Sequence, residues 1–122
     1  MTAALSILVV DDEHDIAELL AELLMSRGHR VATAGNGQLA RALLASDRYD
    51  LVITDQMMPL VDGVELVRGL RADPRLADLP VIMISAQRDL AVIREGLVQA
   101  TLHKPFSPRA LYAAIERVTA RR

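Results

Sequence analysis

An apolar run from Leu5 to Val10 stops at Asp11-Asp12 and gives way to apolar residues spaced at Ile16, Leu19, Leu20, Leu23 and Leu24. The first piece reads as a buried strand and the second as one face of an amphipathic helix. This alternation recurs along the chain and restricts the fold more than any other feature. Arg30 to Ala34 is a short strand, and a Gly35-Asn36-Gly37 turn leads into a helix carrying Leu39, Leu43 and Leu44. Leu51 to Asp55 is an aliphatic, β-branched strand that ends on a carboxylate. The Pro- and Gly-marked loop from Met57 to Gly63 then precedes a helix with Val64, Val67 and Leu70 on one face, broken at Asp73-Pro74. Pro80 to Ser85 is a fourth strand that ends on a hydroxyl. Gln87 to Gln99 places Leu90, Ile93 and Leu97 at helical spacing, and Thr101 to His103 is long enough only for an edge strand, closed by Lys104-Pro105. Ser107 caps a last helix with Pro108 at its first position and Leu111, Ile115 and Val118 in its buried stripe.

Five strands alternating with five helices, without a repeat or linker, call for a parallel sheet with helices on both faces and right-handed crossovers. The 122 residues make one domain, large enough to bury roughly two-thirds of the surface of the unfolded chain. Only Tyr49, Phe106 and Tyr112 are aromatic, so the core is built from Leu, Val, Ile, Ala and Met. At the helix ends, Asp12, Glu13 and Asp15 are expected in the first turn of the first helix, and Gly28 near its C-cap.

Composition removes several function classes. The chain has no cysteine, which excludes disulfide frameworks, thiolate zinc sites and thiol catalysis, and is compatible with a reducing cytoplasm. Its longest apolar runs reach about half the roughly 20 residues of a membrane span, and the N-terminus lacks the features of a secretory signal, so no membrane association is expected. A net charge of -2 with interspersed signs is not the footprint of a nucleic-acid binder. His14, His29 and His103 lie on different elements and show no metal-ligand spacing, so surface or packing roles suit them better.

In parallel α/β sheets, ligands bind at the carboxyl ends of the strands. Asp11 and Asp12 end the first strand, Asp55 the third, Ser85 the fourth and Lys104 the fifth, so four strand ends deliver three carboxylates, a hydroxyl and an ammonium to one edge. Singly, Asp12 could cap a helix, Asp55 could start a turn, Ser85 could bond local backbone and Lys104 could be a solvated charge. Their convergence argues against that set of explanations. Three neighbouring carboxylates repel by roughly 1 to 4 kcal/mol per pair. A hard divalent cation with few protein ligands, Mg2+ above all, offsets this and leaves positions for phosphate oxygens. Asp55 is then placed to act as a carboxylate nucleophile toward a phosphoryl group. Lys104 is the single lysine beside thirteen arginines, a compact and flexible charge where a donor must follow a moving oxygen.

Asp11-Asp12, Asp55 followed by Met58-Pro59 and Asp62-Gly63, Leu79-Pro80, Ser85-Ala86 and Lys104-Pro105-Phe106 together resemble the receiver domain of two-component response regulators along the whole chain. The resemblance implies a flavodoxin-like doubly wound sheet of order 2-1-3-4-5 and a single receiver domain over residues 1–122, with no output domain. It implies that Asp55 accepts a phosphoryl group from a histidine kinase or phosphotransfer protein. Asp11, Asp12, Asp55 and the backbone carbonyl of Met57 would hold Mg2+, while Ser85 and Lys104 would bind phosphoryl oxygens. Met57 and Gln87 would tune loss of the group, slowly with an apolar Met57. The Lys104-Pro105 bond is expected to be cis. Such a domain assists its own phosphorylation and dephosphorylation rather than acting as an enzyme. It signals through contacts with a downstream protein on the face of the fourth helix, fifth strand and fifth helix, and a second copy of the chain is a further candidate partner. The chain departs from the family at Thr101, where an aromatic ring usually turns inward on activation; a small β-branched residue has no large area to swap between two positions.

Two other functions share some of these features. A phosphohydrolase with an aspartyl-phosphate intermediate commonly carries a second acid two residues after the nucleophile, where this chain has Met57, and little chain remains for a substrate cap. An unphosphorylated interaction module would tolerate loss of the acids or the lysine, all of which are present.

Overall fold

A computed structural model of the chain describes residues 4–56, 58, 62–86 and 95–120. The described elements are β1 (Ser6–Val10), α1 (His14–Met25), β2 (Arg30–Ala34), α2 (Gly37–Ser46), β3 (Leu51–Asp55), α3 (Gly63–Ala72), β4 (Val81–Ser85), β5 (Ala100–His103) and α4 (Pro108–Thr119). Most of the fourth predicted helix, including Leu90 and Ile93, lies outside the described residues. All strand pairings are parallel, in the order β2-β1-β3-β4-β5. The doubly wound sheet and the edge position of the fifth strand are thus as expected.

Alternation along the strands divides the core in two. Leu8, Val10, Val52, Val81 and Met83 face Ala40 and Leu44 of α2 and Leu66, Val67 and Leu70 of α3. Ile7, Val9, Ile53, Ile82 and Ile84 face Ala17, Leu20 and Leu24 of α1 and Leu111, Ala114 and Ile115 of α4. Because both sheet faces are covered, β3 and β4 are buried at every position, which is why they read as unbroken apolar runs. No helix among the described residues is long and apolar enough to cross a membrane.

The helix ends follow local chemistry. Ser107 Oγ accepts from the Ala110 amide at 3.1 Å, with Pro108 opening α4. Asn36 is more than part of a turn: its Oδ1 accepts from the Leu39 amide at 2.9 Å and caps α2. Helix α1 begins later than expected, with Glu13 as its N-cap residue and Asp12 outside the helix, because Asp11 Oδ1 takes the Glu13 amide at 2.9 Å and turns the chain there. Gly28 adopts φ 88° just past the end of α1, a conformation that favours glycine.

His29 is a buried packing histidine. Its Nδ1 accepts from the Leu5 amide at 3.0 Å, while the Leu5 carbonyl accepts from the Arg30 amide at 2.8 Å, tying the entry of β1 to β2. Burial, and secondarily the charge of Arg27, hold its pKa below the ordinary 6.5. Protonation also consumes the lone pair that the Leu5 amide needs. An unfolded chain gains this proton first as pH falls through about 6.5, so the domain should lose stability there. In His29→Asn an amide oxygen can stand in for Nδ1 without titrating. The urea midpoint of the wild type should therefore fall relative to that of the variant between about pH 8 and about pH 5. Parallel curves would show that His29 does not contribute.

Candidate functional site

The carboxyl edge of the sheet gathers the residues singled out by sequence. Asp11 follows β1, Asp55 ends β3, Ser85 ends β4, and Lys104 follows β5, where its amide bonds the Ser85 carbonyl at 2.8 Å. Asp11 is 2% exposed, Asp55 4% and Ser85 3%, whereas Asp12 is exposed. One carboxylate oxygen from each of Asp11, Asp12 and Asp55 lies within 4.8 Å of the others. Lys104 Nζ is 2.8 Å from Asp55 Oδ1.

Burial and the neighbouring charges shift Asp11 and Lys104. Burial raises the Asp11 pKa from 3.8 to about 6, with the charges of Asp55 and Asp12 adding to the rise and the Glu13 amide and Lys104 opposing it. Burial disfavours the Lys104 ammonium, but its hydrogen bond to Asp55 and the negative charges of Asp55, Asp11 and Glu13 outweigh that, leaving the pKa above its ordinary value. The Asp11 Oδ2 atom is buried and has no hydrogen-bond partner among the described residues. A buried, unpartnered carboxylate oxygen beside two further carboxylates fits a hard divalent cation.

The loop after Asp55 is anchored by its backbone. The Gln56 amide donates to the Ile84 carbonyl at 3.0 Å, and the Gln56 carbonyl accepts from the Gly63 amide at 2.9 Å. Asp62 caps α3 through the Glu65 amide at 2.9 Å. The Thr54 hydroxyl donates to the Asp55 carbonyl at 2.9 Å. Helix α3 starts so close to this carbonyl that a Cβ on Gly63 would lie 2.2 Å from it. In the sequence Gly63 reads as a loop marker, and only its place one residue after Asp62, the cap of α3, points to this approach.

Ser85 Oγ donates to Gln56 Oε1, a partner that sequence reasoning did not propose. Thr101 is half-buried on β5 opposite Met83, two positions before the His103–Ser85 pair at the site edge. Met57 and Gln87 lie outside the described residues. The Lys104-Pro105 peptide is cis, as expected.

Residues 7–116 match the family described as "Response regulator receiver domain", and the chain belongs to that family. The phosphate regulon transcriptional regulatory protein PhoB of Pseudomonas aeruginosa is 37% identical over 119 residues, covering 95% of this chain and 52% of that protein. A response regulator receiver protein of Anaeromyxobacter is 48% identical over 107 residues, covering 85% of this chain and 44% of that protein. The chain thus spans about half the length of these curated relatives. Chemotaxis protein CheY4 of Vibrio cholerae superposes with a TM-score of 0.88 at 30% identity, over 95% of this chain and 99% of that one. Response regulator protein TrrA of Thermotoga maritima, solved in complex with Mg(2+)-BeF, superposes with a TM-score of 0.82 at 33% identity, over 93% of this chain and 97% of that one.

Proposed function

We propose that the domain accepts a phosphoryl group on Asp55 from the phosphohistidine of a histidine kinase or phosphotransfer protein, and passes the signal on through protein contacts. The observation that carries this reading is the nearly buried Asp55 carboxylate, bonded to Lys104 at 2.8 Å and flanked by Asp11 and Asp12. An Asp55 carboxylate oxygen forms a bond to phosphorus as the P–N bond of the donor breaks, and the electron pair stays on the imidazole nitrogen. The product is an acyl phosphate. Lys104 follows the charge from the carboxylate to a phosphoryl oxygen, on a flexible stem suited to that movement. The Ser85 hydroxyl binds a second phosphoryl oxygen.

Asp11, Asp12 and Asp55, with the Met57 carbonyl, would hold Mg2+, which supplies charge neutralisation at the phosphoryl oxygens. Met57 and Gln87 tune hydrolysis of the acyl phosphate, and the output face includes β5 and α4. Among curated relatives of about twice the length, some are named as transcriptional regulators, so a connection to transcription is one use of this face.

Incubation with Mg2+ and acetyl phosphate, read by intact mass, tests the reading. One added phosphoryl group is expected in the wild type and none in Asp55→Asn or in the presence of a chelator. Absence of labelling in the wild type would favour an interaction module that retains the fold alone.

A further inference from the structure

Resting on the reading of Asp55 as phosphoacceptor, we propose that Gln56 is a positioning residue that competes with the phosphoryl group for the Ser85 hydroxyl and so sets how readily the domain is switched. Ser85 Oγ donates to Gln56 Oε1. A serine hydroxyl carries one proton, so the same hydroxyl cannot also donate to a phosphoryl oxygen on Asp55. One of the two acceptors must give way.

The backbone determines which. Gln56 is held on both sides, its amide by the Ile84 carbonyl at 3.0 Å and its carbonyl by the Gly63 amide at 2.9 Å. Ser85 ends β4, its carbonyl taking the Lys104 amide at 2.8 Å. With both main chains fixed, the exchange falls to the side chains. Ser85 is 3% exposed and needs an acceptor wherever it points, whereas the Gln56 side chain is half-buried and can turn toward water. A phosphoryl oxygen is a charged acceptor and forms the stronger bond, so the hydroxyl moves to it and Gln56 is released. The neutral Gln56–Ser85 bond is then a resistance to switching, present in the unphosphorylated state and lost in the phosphorylated one. Gln56 follows the phosphoacceptor directly in sequence, so the same turn that presents Asp55 presents its competitor.

The test uses the full chain with Mg2+ and beryllofluoride, a phosphoryl mimic, titrated by amide NMR shifts. Gln56→Met, which removes the acceptor at similar length, should bind beryllofluoride on the order of five-fold tighter than the wild type, the size of one neutral hydrogen bond. Gln56→Leu should shift affinity the same way, and thermal unfolding confirms that both variants are folded. In a Ser85→Ala background, Gln56→Met should leave affinity unchanged, since the hydroxyl under competition is gone. Unchanged or weaker binding by both variants, or an equal gain with and without Ser85, would overturn the proposal. Wild-type binding that survives Asp55→Asn would instead overturn the phosphoacceptor reading itself, and the proposal with it.

Discussion

In metal-free protein, replacing Asp11 by asparagine is expected to raise the unfolding midpoint at neutral pH and, in the same variant, to weaken magnesium-dependent labelling by on the order of ten-fold or more. Two charged carboxylates crowd a third that is 2% exposed, and Asp11 Oδ2 has no protein partner among the described residues. Burial, aided by Asp55 and Asp12, lifts the Asp11 pKa to about 6, so at pH 7 the folded state holds an ionised carboxylate at a cost. The cost is on the order of 1 to 3 kcal/mol, or several degrees in midpoint for a domain of this size. Asparagine keeps an oxygen for the Glu13 amide and removes the charge. For an acid whose native pKa is raised, the cost is present above the native value and vanishes as pH falls toward 3.8, so the gain should be large near pH 7 and absent near pH 4. Thermal unfolding in chelator at both pH values measures it. A variant less stable than wild type at neutral pH would show that Asp11 is not held against repulsion.

Gly63→Ala is expected to damage stability and site together. The added methyl carbon would sit 2.2 Å from the Asp55 carbonyl oxygen, 3.0 Å from Gln56 Cα and 3.2 Å from the Asp55 carbonyl carbon. All three are backbone atoms, so no flexible side chain can swing aside to make room. Either α3 retreats, losing the Gly63–Gln56 hydrogen bond and part of the Leu66 and Val67 packing, or the end of β3 moves and carries the Asp55 carboxylate with it. Overpacking of this kind costs roughly 1 to 3 kcal/mol, and backbone partners place the expectation at the upper end or beyond. A loss of about 3 kcal/mol in urea unfolding, with slower labelling by acetyl phosphate, is the expected result. A variant within about 0.5 kcal/mol of wild type would mean that α3 is not packed against the Asp55 carbonyl.

Much of this was legible in the residues, for identifiable reasons. Strands buried on both faces become aliphatic runs, and the carboxylates that end the β1 and β3 runs mark where each strand leaves the core, so Asp11, Asp12 and Asp55 announced one edge. Ser107-Pro108 announced a helix start because capping and fixed φ act within a few residues. Three features were hidden. Asn36 looked like a turn residue because turn and cap use the same side-chain bond to a nearby amide. His29 reads as a surface or packing residue, but its partner was hidden, because a contact from Nδ1 to Leu5 spans 24 residues of sequence. The Gln56–Ser85 bond spans 29 and joins two strand ends that only the finished sheet brings together. Thr101 marked a departure from the usual aromatic, and its half-buried place on β5 does not supply a substitute.

Borohydride reduction of the phosphorylated domain tests the central claim most directly, because it converts an aspartyl phosphate to homoserine and fixes the modified residue in a peptide map. Homoserine at position 55, dependent on Mg2+ and absent without the phosphodonor, is the predicted result. Homoserine at position 11 or 12, or phosphate that resists reduction because it is not an acyl phosphate, would contradict the assignment of Asp55.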